Sequence, residues 1–260
     1  MERRIKEVTD SILAKKGAEL REKLRNSFIA PQRNPIREVT TPEGILHVLG
    51  NFKEFTFVIP GILIRAQAAL ASSPDVYTEL DMNIREELGH MNVPDALRIP
   101  VEALLRRTPT HYDLLCYYLQ TQYGFEAADF EPNDATLRFI RKVMSYFRYN
   151  ISFAYAAGAA YALETSAILE LQTLELKMRE LSQLKGLVIS FDTSPLKQFI
   201  DMHVAVIKQD HSDGLINALE KSNRITEERH GLRTFEFGFK QMVETMERWW
   251  MQLAAMAKEL

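Results

Sequence analysis

The sequence predicts an all-α chain, a bundle of about seven to eight helices in a single domain, and three observations carry that expectation. Eight of the ten prolines fall between Pro31 and Pro109, so 133–194 and 196–260 are free of proline. Both stretches are rich in Ala, Leu, Glu, Lys, Gln and Met, the residues that lose least on entering a helix. Alternating apolar patterns bounded by hairpin turns are nearly absent; Phe55 to Ile59 is the one short run that would pass for a strand.

Taken in order, residues 4–27 read as a first amphipathic helix, with Ile12, Leu13, Leu20 and Leu24 near one stripe. Pro31 to Pro42 reads as an irregular connection. Thr41-Pro42-Glu43 is a cap followed by proline at the first helical position, opening a helix to about Leu49. Gly50-Asn51 reads as a turn before an apolar segment, 52–72. A helix is expected over 75–91, ending between Gly89 and Pro94, and another over 109–123, closed by Gly124. Asn133-Asp134 caps a helix to about 154. Gly158 interrupts or separates it from the next, which runs to Leu184. Pro195 opens a helix to about 221, and the last covers 226–258.

Composition limits the function classes. The 260 residues carry 32 Lys and Arg against 35 Asp and Glu, a formal net charge of −3. That balance argues against a nucleic-acid binder, which needs concentrated basic residues for phosphate contacts. A single cysteine, Cys116, in an apolar run reads as a small buried hydrophobe and excludes a disulfide framework or a cysteine-rich zinc site. No apolar run approaches the ~18 residues of a membrane span. The charged N-terminal stretch does not resemble a secretory leader. The expectation is a cytoplasmic protein without a membrane or nucleic-acid partner.

Three segments put metal-ligand residue types on core-facing stripes. Glu87 and His90 stand one helical turn apart, the Glu-x-x-His spacing of bundle metal sites. The same residues fit a plain helix C-terminus, with Gly89 breaking the helix and His90 favoured by its dipole. Glu164 lies in an alanine-rich apolar run, where a carboxylate is costly to bury unless paired or metal-bound; Glu170 reads as part of a solvated face. On the helix after Pro195, His203, Asp210 and His211 fall within an arc of ~100°. Oxygen and nitrogen donors without sulfur suit iron or manganese better than structural zinc. Satisfied core histidines are the other reading of these positions.

Asn83-x-x-Glu86-Glu87-x-Gly89, Ala159-x-Tyr161-Ala162-Leu163-Glu164 and His203-x7-His211-Ser212-Asp213-Gly214-Leu215 occur in the order and rough separation that resemble the haem-oxygenase-like diiron oxidases and oxygenases. That superfamily includes the TenA, PqqC and CADD-like proteins, and the resemblance covers roughly residues 50–220. It implies a haem-oxygenase-like bundle with the site between core helices. It also implies two Fe(II) ions per chain held by Glu87, His90, Glu164, His203, Asp210 and His211, with O2 as co-substrate. Glu86, His111 and Glu54 are the additional carboxylates and imidazole near that set, His111 being an alternative match for the first histidine. Several members carry His-x-x-x-Asp-x-x-His, whereas here Ile207 stands four residues after His203 and the acid comes at Asp210.

The activity implied is oxidation of a small amino-acid- or fatty-acid-like metabolite. The alternative is a metal-free, TenA- or PqqC-like protein that acts on or binds a heterocyclic metabolite. Tyr149, Phe153 and Tyr161 with Arg148 read either as a pocket with a carboxylate anchor or as plain core. Trp249-Trp250-Met251, beside Met242, Met246 and Met256, fits either a homodimer face or internal packing.

Overall fold

The computed structural model describes residues 11–90, 93–126, 130–204 and 208–260, without the side chains at 188–189 and 208–210. Among the described residues the chain is helical throughout its regular structure, with no strand, as predicted. The segmentation is finer than the sequence suggests.

Helix α1 spans Ile12–Arg25 and is capped by Ser11, whose hydroxyl accepts from the Ala14 N–H at 3.0 Å. After a loop with a 3-10 turn at Pro35–Glu38, α2 runs uninterrupted over Pro42–Ala69. The turn expected at Gly50-Asn51 is absent, and so is the strand-like element over Phe55 to Ile59. Gly50 is a packing position: a Cβ there would lie 2.4 Å from the Phe130 ring. The buried Asn51 amide donates to the His47 carbonyl at 2.9 Å. Its oxygen accepts from the Asn133 N–H at 3.0 Å and the Thr136 hydroxyl at 2.8 Å. A residue with turn propensity is thereby held in a helix by tertiary hydrogen bonds.

Helix α3 covers Pro74–Glu87, and α4, Asp95–Leu105, was not anticipated because Pro94 and Pro100 mask it. Helix α5, His111–Tyr123, starts at a Thr110/Asp113 capping box and ends at Gly124. Helix α6, Asp134–Met144, stops short of the expected 154. A 3-10 turn, a left-handed Asn150 (φ 67°) and the Ser152 cap separate it from α7, Phe153–Leu184. The short α8, Val188–Asp192, leads to α9, Pro195–Met202, and α10, Lys208–Lys221, with His203 and Val204 wound as a π-turn. The four-residue α11, Arg224–Glu227, and the long α12, Gly231–Ala257, complete the chain.

Helices α7 and α12 form the central pair. Gly158 does not interrupt α7; it lets α12 approach, since a Cβ there would lie 1.9 Å from the Phe235 carbonyl oxygen. Gly238 reciprocates, with its Cβ position 2.1 Å from the Tyr155 carbonyl oxygen. Trp249 and Trp250 point into the chain's own core, which supports the packing reading of those rings. Trp249 stacks on Phe139 at 4.2 Å and donates to the Thr136 hydroxyl at 2.9 Å. Trp250 donates to Glu170 Oε1 at 3.0 Å. Around this pair, α2 and α10 pack against α7, and α3 packs against both of them.

Candidate functional site

The site begins at the end of α3. Leu80, Asn83, Ile84, Glu86 and Glu87 are all buried on this helix, so two adjacent carboxylates enter the interior together. Gly89, at φ 84°, ends the helix, and the His90 N–H donates back to the Arg85 carbonyl at 2.9 Å. The chain has left the helical path by then, so His90 does not share a face with Glu87; its side chain is exposed. The helix C-terminus reading of this segment accounts for His90. A Cβ at Gly89 would lie 1.9 Å from the Pro109 carbonyl oxygen. That close approach seats the start of α5 against the end of α3 and delivers His111, the first residue of α5, to Glu87.

His111 Nδ1 lies 3.1 Å from Glu87 Oε2 and 3.3 Å from His203 Nε2. The opposite nitrogen of His203, Nδ1, is 2.7 Å from the Phe199 carbonyl. A carbonyl only accepts, so His203 Nδ1 carries the proton and Nε2 offers a lone pair. Both groups facing His111 Nδ1 are then acceptors, which places a proton on that nitrogen. In the neutral imidazole His111 Nε2 is then the second lone pair; that atom is buried and has no hydrogen-bond partner. An imidazole that donates through one nitrogen to a carbonyl or carboxylate and presents the other as a lone pair is the usual state of a metal-ligating histidine.

A second chain lies alongside. His211 Nε2 bonds to Glu86 Oε2, and its Nδ1 faces Glu164 Oε2 at 3.5 Å. Glu164 is only 3% exposed, and Ala159, Ala160 and Ala162 around it are buried as well. Glu79, one helical turn before Asn83 on α3, is half-buried. Burial pushes its carboxyl above the ordinary range, and the charges of His211, Glu164 and Glu86 act on it. Asn83 itself is completely buried, with neither amide atom hydrogen-bonded.

Glu87, His111, Glu164 and His203 line one open-mouthed pocket. Its remaining wall is mostly apolar, supplied by α2 (Phe52, Phe55, Ile59), by α9 (Phe199, Ile200) and by α7 from Leu163 to Met178. Glu170 belongs to that wall and is buried, contrary to the solvated position expected for it.

The structure thus gathers Glu86, Glu87, His111, Glu164, His203 and His211. Asp210 lies on α10, but its side chain is outside what the structure describes, and Ile207 lies outside the described residues altogether. Glu54 is turned away and pairs with the buried ammonium of Lys53. The aromatic pocket expected around Tyr149 is not formed: its ring is 94% exposed and Arg148 is exposed too, because both lie in the loop that breaks the expected helix. Phe153 is buried away from the pocket. Tyr161 packs on Phe235 and Phe239, its phenol pushed up to about 12 by burial. Cys116 is half-buried, and desolvation raises its thiol to about 11.

Among the described residues, no three His, Cys, Asp or Glu side chains converge as a finished metal-holding set. The donor chemistry nevertheless fits iron. Three carboxylates and three imidazoles are buried together without sulfur, and the partnerless His111 Nε2 costs ~1–3 kcal/mol until something occupies it. Glu86, Glu87, Glu164, His111, His203 and His211 are the residues that could hold a divalent metal.

The fold has solved counterparts. Two crystal structures of a CADD-like protein of unknown function from Nostoc punctiforme, at 2.00 and 1.35 Å resolution, are similar to this chain at 22% identity. The first aligns over 93% of this chain and 98% of that one with a TM-score of 0.74; the second over 94% and 95% with a TM-score of 0.72. No curated protein matches the chain. A family model, that of a domain of unknown function with a solved structure, matches residues 23–256, and the chain belongs to that family, DUF3865.

Proposed function

We propose that this protein is an O2-dependent non-haem diiron oxidase or oxygenase acting on a small, largely apolar metabolite. The observation that carries the reading is the juxtaposition of two buried Glu/His chains, Glu87–His111–His203 and Glu86–His211–Glu164, with all but Glu86 and His211 of this set lining one apolar pocket. The likeness to a CADD-like protein supports the scaffold, as does the resemblance of the three sequence motifs. When bound, ferrous iron supplies the electrons that activate dioxygen. The chain's own residues do the rest. Phe199's carbonyl and Glu87 hold the Nδ1 protons of His203 and His111, which fixes both tautomers. The three carboxylates balance the charge of divalent ions. Phe52, Phe55, Leu163 and Ile200 keep water from the reacting region.

The test is metal loading of the full chain, purified without a chelating tag. Anaerobic addition of Fe(II) is expected to give about two irons per chain, as the number of available donors implies, and mixing with oxygen is expected to change the visible spectrum. Glu164→Ala and His203→Ala should lose both. Absence of specific iron uptake overturns the reading.

A metal-free reading is favoured by one observation, the pairing of donors with each other in place of a convergent triad. On that reading the pocket binds a heterocyclic metabolite and acts through Glu and His. Cys116 contributes no nucleophile, since its thiol is held protonated by burial.

A further inference from the structure

Thr56 and Glu87 border two pockets. One is the apolar pocket of the donor cluster; the other opens between α2, the end of α3 and the start of α5. The two differ in what stands at their mouths. Apart from Thr56, the partly exposed residues of the apolar pocket are Ile59, Ala167 and Leu171, none with a polar side chain. The second pocket runs from Phe57, Leu88 and Arg107 at its exposed rim, past Thr56, Thr110 and Asp113, to Glu87, which alone among its described lining residues is buried. Arg107 is not a free cation there, because its two terminal nitrogens donate to Asp113 at 2.8 and 2.9 Å. Pro60 also borders this pocket and supplies no N–H, so the Thr56 carbonyl one turn back loses its helical donor. The wall thus carries hydroxyl and carboxylate oxygens, with a backbone carbonyl released beside them. A small divalent ion sheds its water reluctantly and takes oxygen ligands in exchange. Ile59, Ala167 and Leu171 offer none; the second pocket offers several.

We propose that the second pocket is the entry route of the divalent metal ion, with Glu87 the first donor of the cluster that the ion meets, and that the apolar pocket is kept for the organic substrate. His111 follows directly, its Nδ1 3.1 Å from Glu87 Oε2. The route rests on the metal reading of the cluster for its cargo. It adds a division of labour that the cluster alone does not imply: the ion and the substrate reach the same donors through different mouths.

The experiment follows Co(II) uptake by the metal-free full chain after rapid mixing, through the visible absorbance of the bound ion. Co(II) stands next to Fe(II) in affinity for such oxygen and nitrogen donors. Leu88→Trp, at a residue 36% exposed, narrows the polar mouth, and Ala167→Trp narrows the apolar one. Leu88→Trp is expected to slow uptake by about tenfold or more, equivalent to ~1.4 kcal/mol on the entry barrier, with the final cobalt count unchanged. Ala167→Trp should leave the rate as it is. Phe57→Ala, at a residue 60% exposed, removes a ring from the polar mouth and should quicken uptake. A rate unchanged in both Leu88→Trp and Phe57→Ala, or slowed as much by Ala167→Trp as by Leu88→Trp, overturns the route. If Leu88→Trp does not fold, Phe57→Ala against Ala167→Trp decides. A wild-type chain that takes up no cobalt fails at the count, before any rate is compared, and overturns the metal reading and the route together; a normal count with unaltered rates overturns the route alone.

Discussion

His203 Nε2 lies 3.3 Å from His111 Nδ1, although ninety-two residues separate them in the chain. The contact ties the π-wound end of α9 to the first turn of α5, and it makes His111, in place of His90, the imidazole beside Glu87. The expected consequence is selective. His111→Ala should abolish or sharply reduce iron uptake, whereas His90→Ala, an exposed side chain, should leave the iron count unchanged. Metal analysis of the two variants after the same anaerobic loading checks this. Equal iron in both would refute the assignment of His111.

The close crossing of α7 and α12 gives a second prediction. Gly158 and Gly238 each face a backbone carbonyl of the partner helix, and backbone cannot swing aside as a side chain can. Gly158→Ala should destabilise the chain by about 2–3 kcal/mol or more through overpacking, despite the better helix propensity of alanine. Gly238→Ala should do the same. Once the helices have been forced apart the second methyl costs less, so the double variant is expected to lose less than the sum. Urea unfolding of the three variants measures this, and a neutral Gly158→Ala would contradict the crossing.

Lys177 carries a third. It is buried on α7, and its ammonium donates to the Arg37 carbonyl at 3.0 Å, the Val39 carbonyl at 2.7 Å and Glu180 at 2.6 Å. This fixes the loop between α1 and α2 to the central helix. Lys177→Met preserves much of the apolar stem but leaves two carbonyls without their donor. A loss of roughly 2–4 kcal/mol is expected from those orphaned acceptors, with earlier proteolysis in the 31–41 loop. Unfolding within about 0.5 kcal/mol of wild type, the range of an ordinary surface change, would show that the tether contributes little.

The helical class was legible because propensity and proline placement act locally. The site was legible only in part. Glu164 stood out by its alanine surroundings, and His203 and His211 by their spacing on a helix. Spacing favours His90 over His111 as the neighbour of Glu87, because what brings His111 to Glu87 is the packing of Gly89 on Pro109, a contact between segments with no signature in periodicity. Glu170 looked solvated because its partner is Trp250, eighty residues away. Gly50-Asn51 and Gly158 show the same failure from the other side. Residues that punctuate a chain locally are used here to admit a ring or a neighbouring helix, and only tertiary contacts reveal which role applies.

The start of α5 links stability to the site. Asp113 accepts from the Thr110 N–H at 2.8 Å, from its hydroxyl at 2.9 Å, and from both terminal nitrogens of Arg107 at 2.8 and 2.9 Å. Thr110 returns the bond, accepting from the Asp113 N–H at 3.1 Å. His111 sits inside this box, so the cap sets both where α5 begins and where its imidazole points. Asp113→Ala should cost about 1–2 kcal/mol, the worth of a strong N-terminal cap. Asp113→Asn, which keeps an acceptor for Thr110 but loses the ion pair with partly exposed Arg107, should cost less. Iron affinity should follow the same order, wild type above Asn above Ala, because fraying the first turn of α5 moves His111 away from Glu87 and His203. Chemical denaturation and iron titration on the three chains measure the two effects independently. A destabilised Asp113→Ala that still binds iron like wild type would mean that His111 is positioned by the core around Phe199, its edge-on aromatic neighbour, and not by the cap.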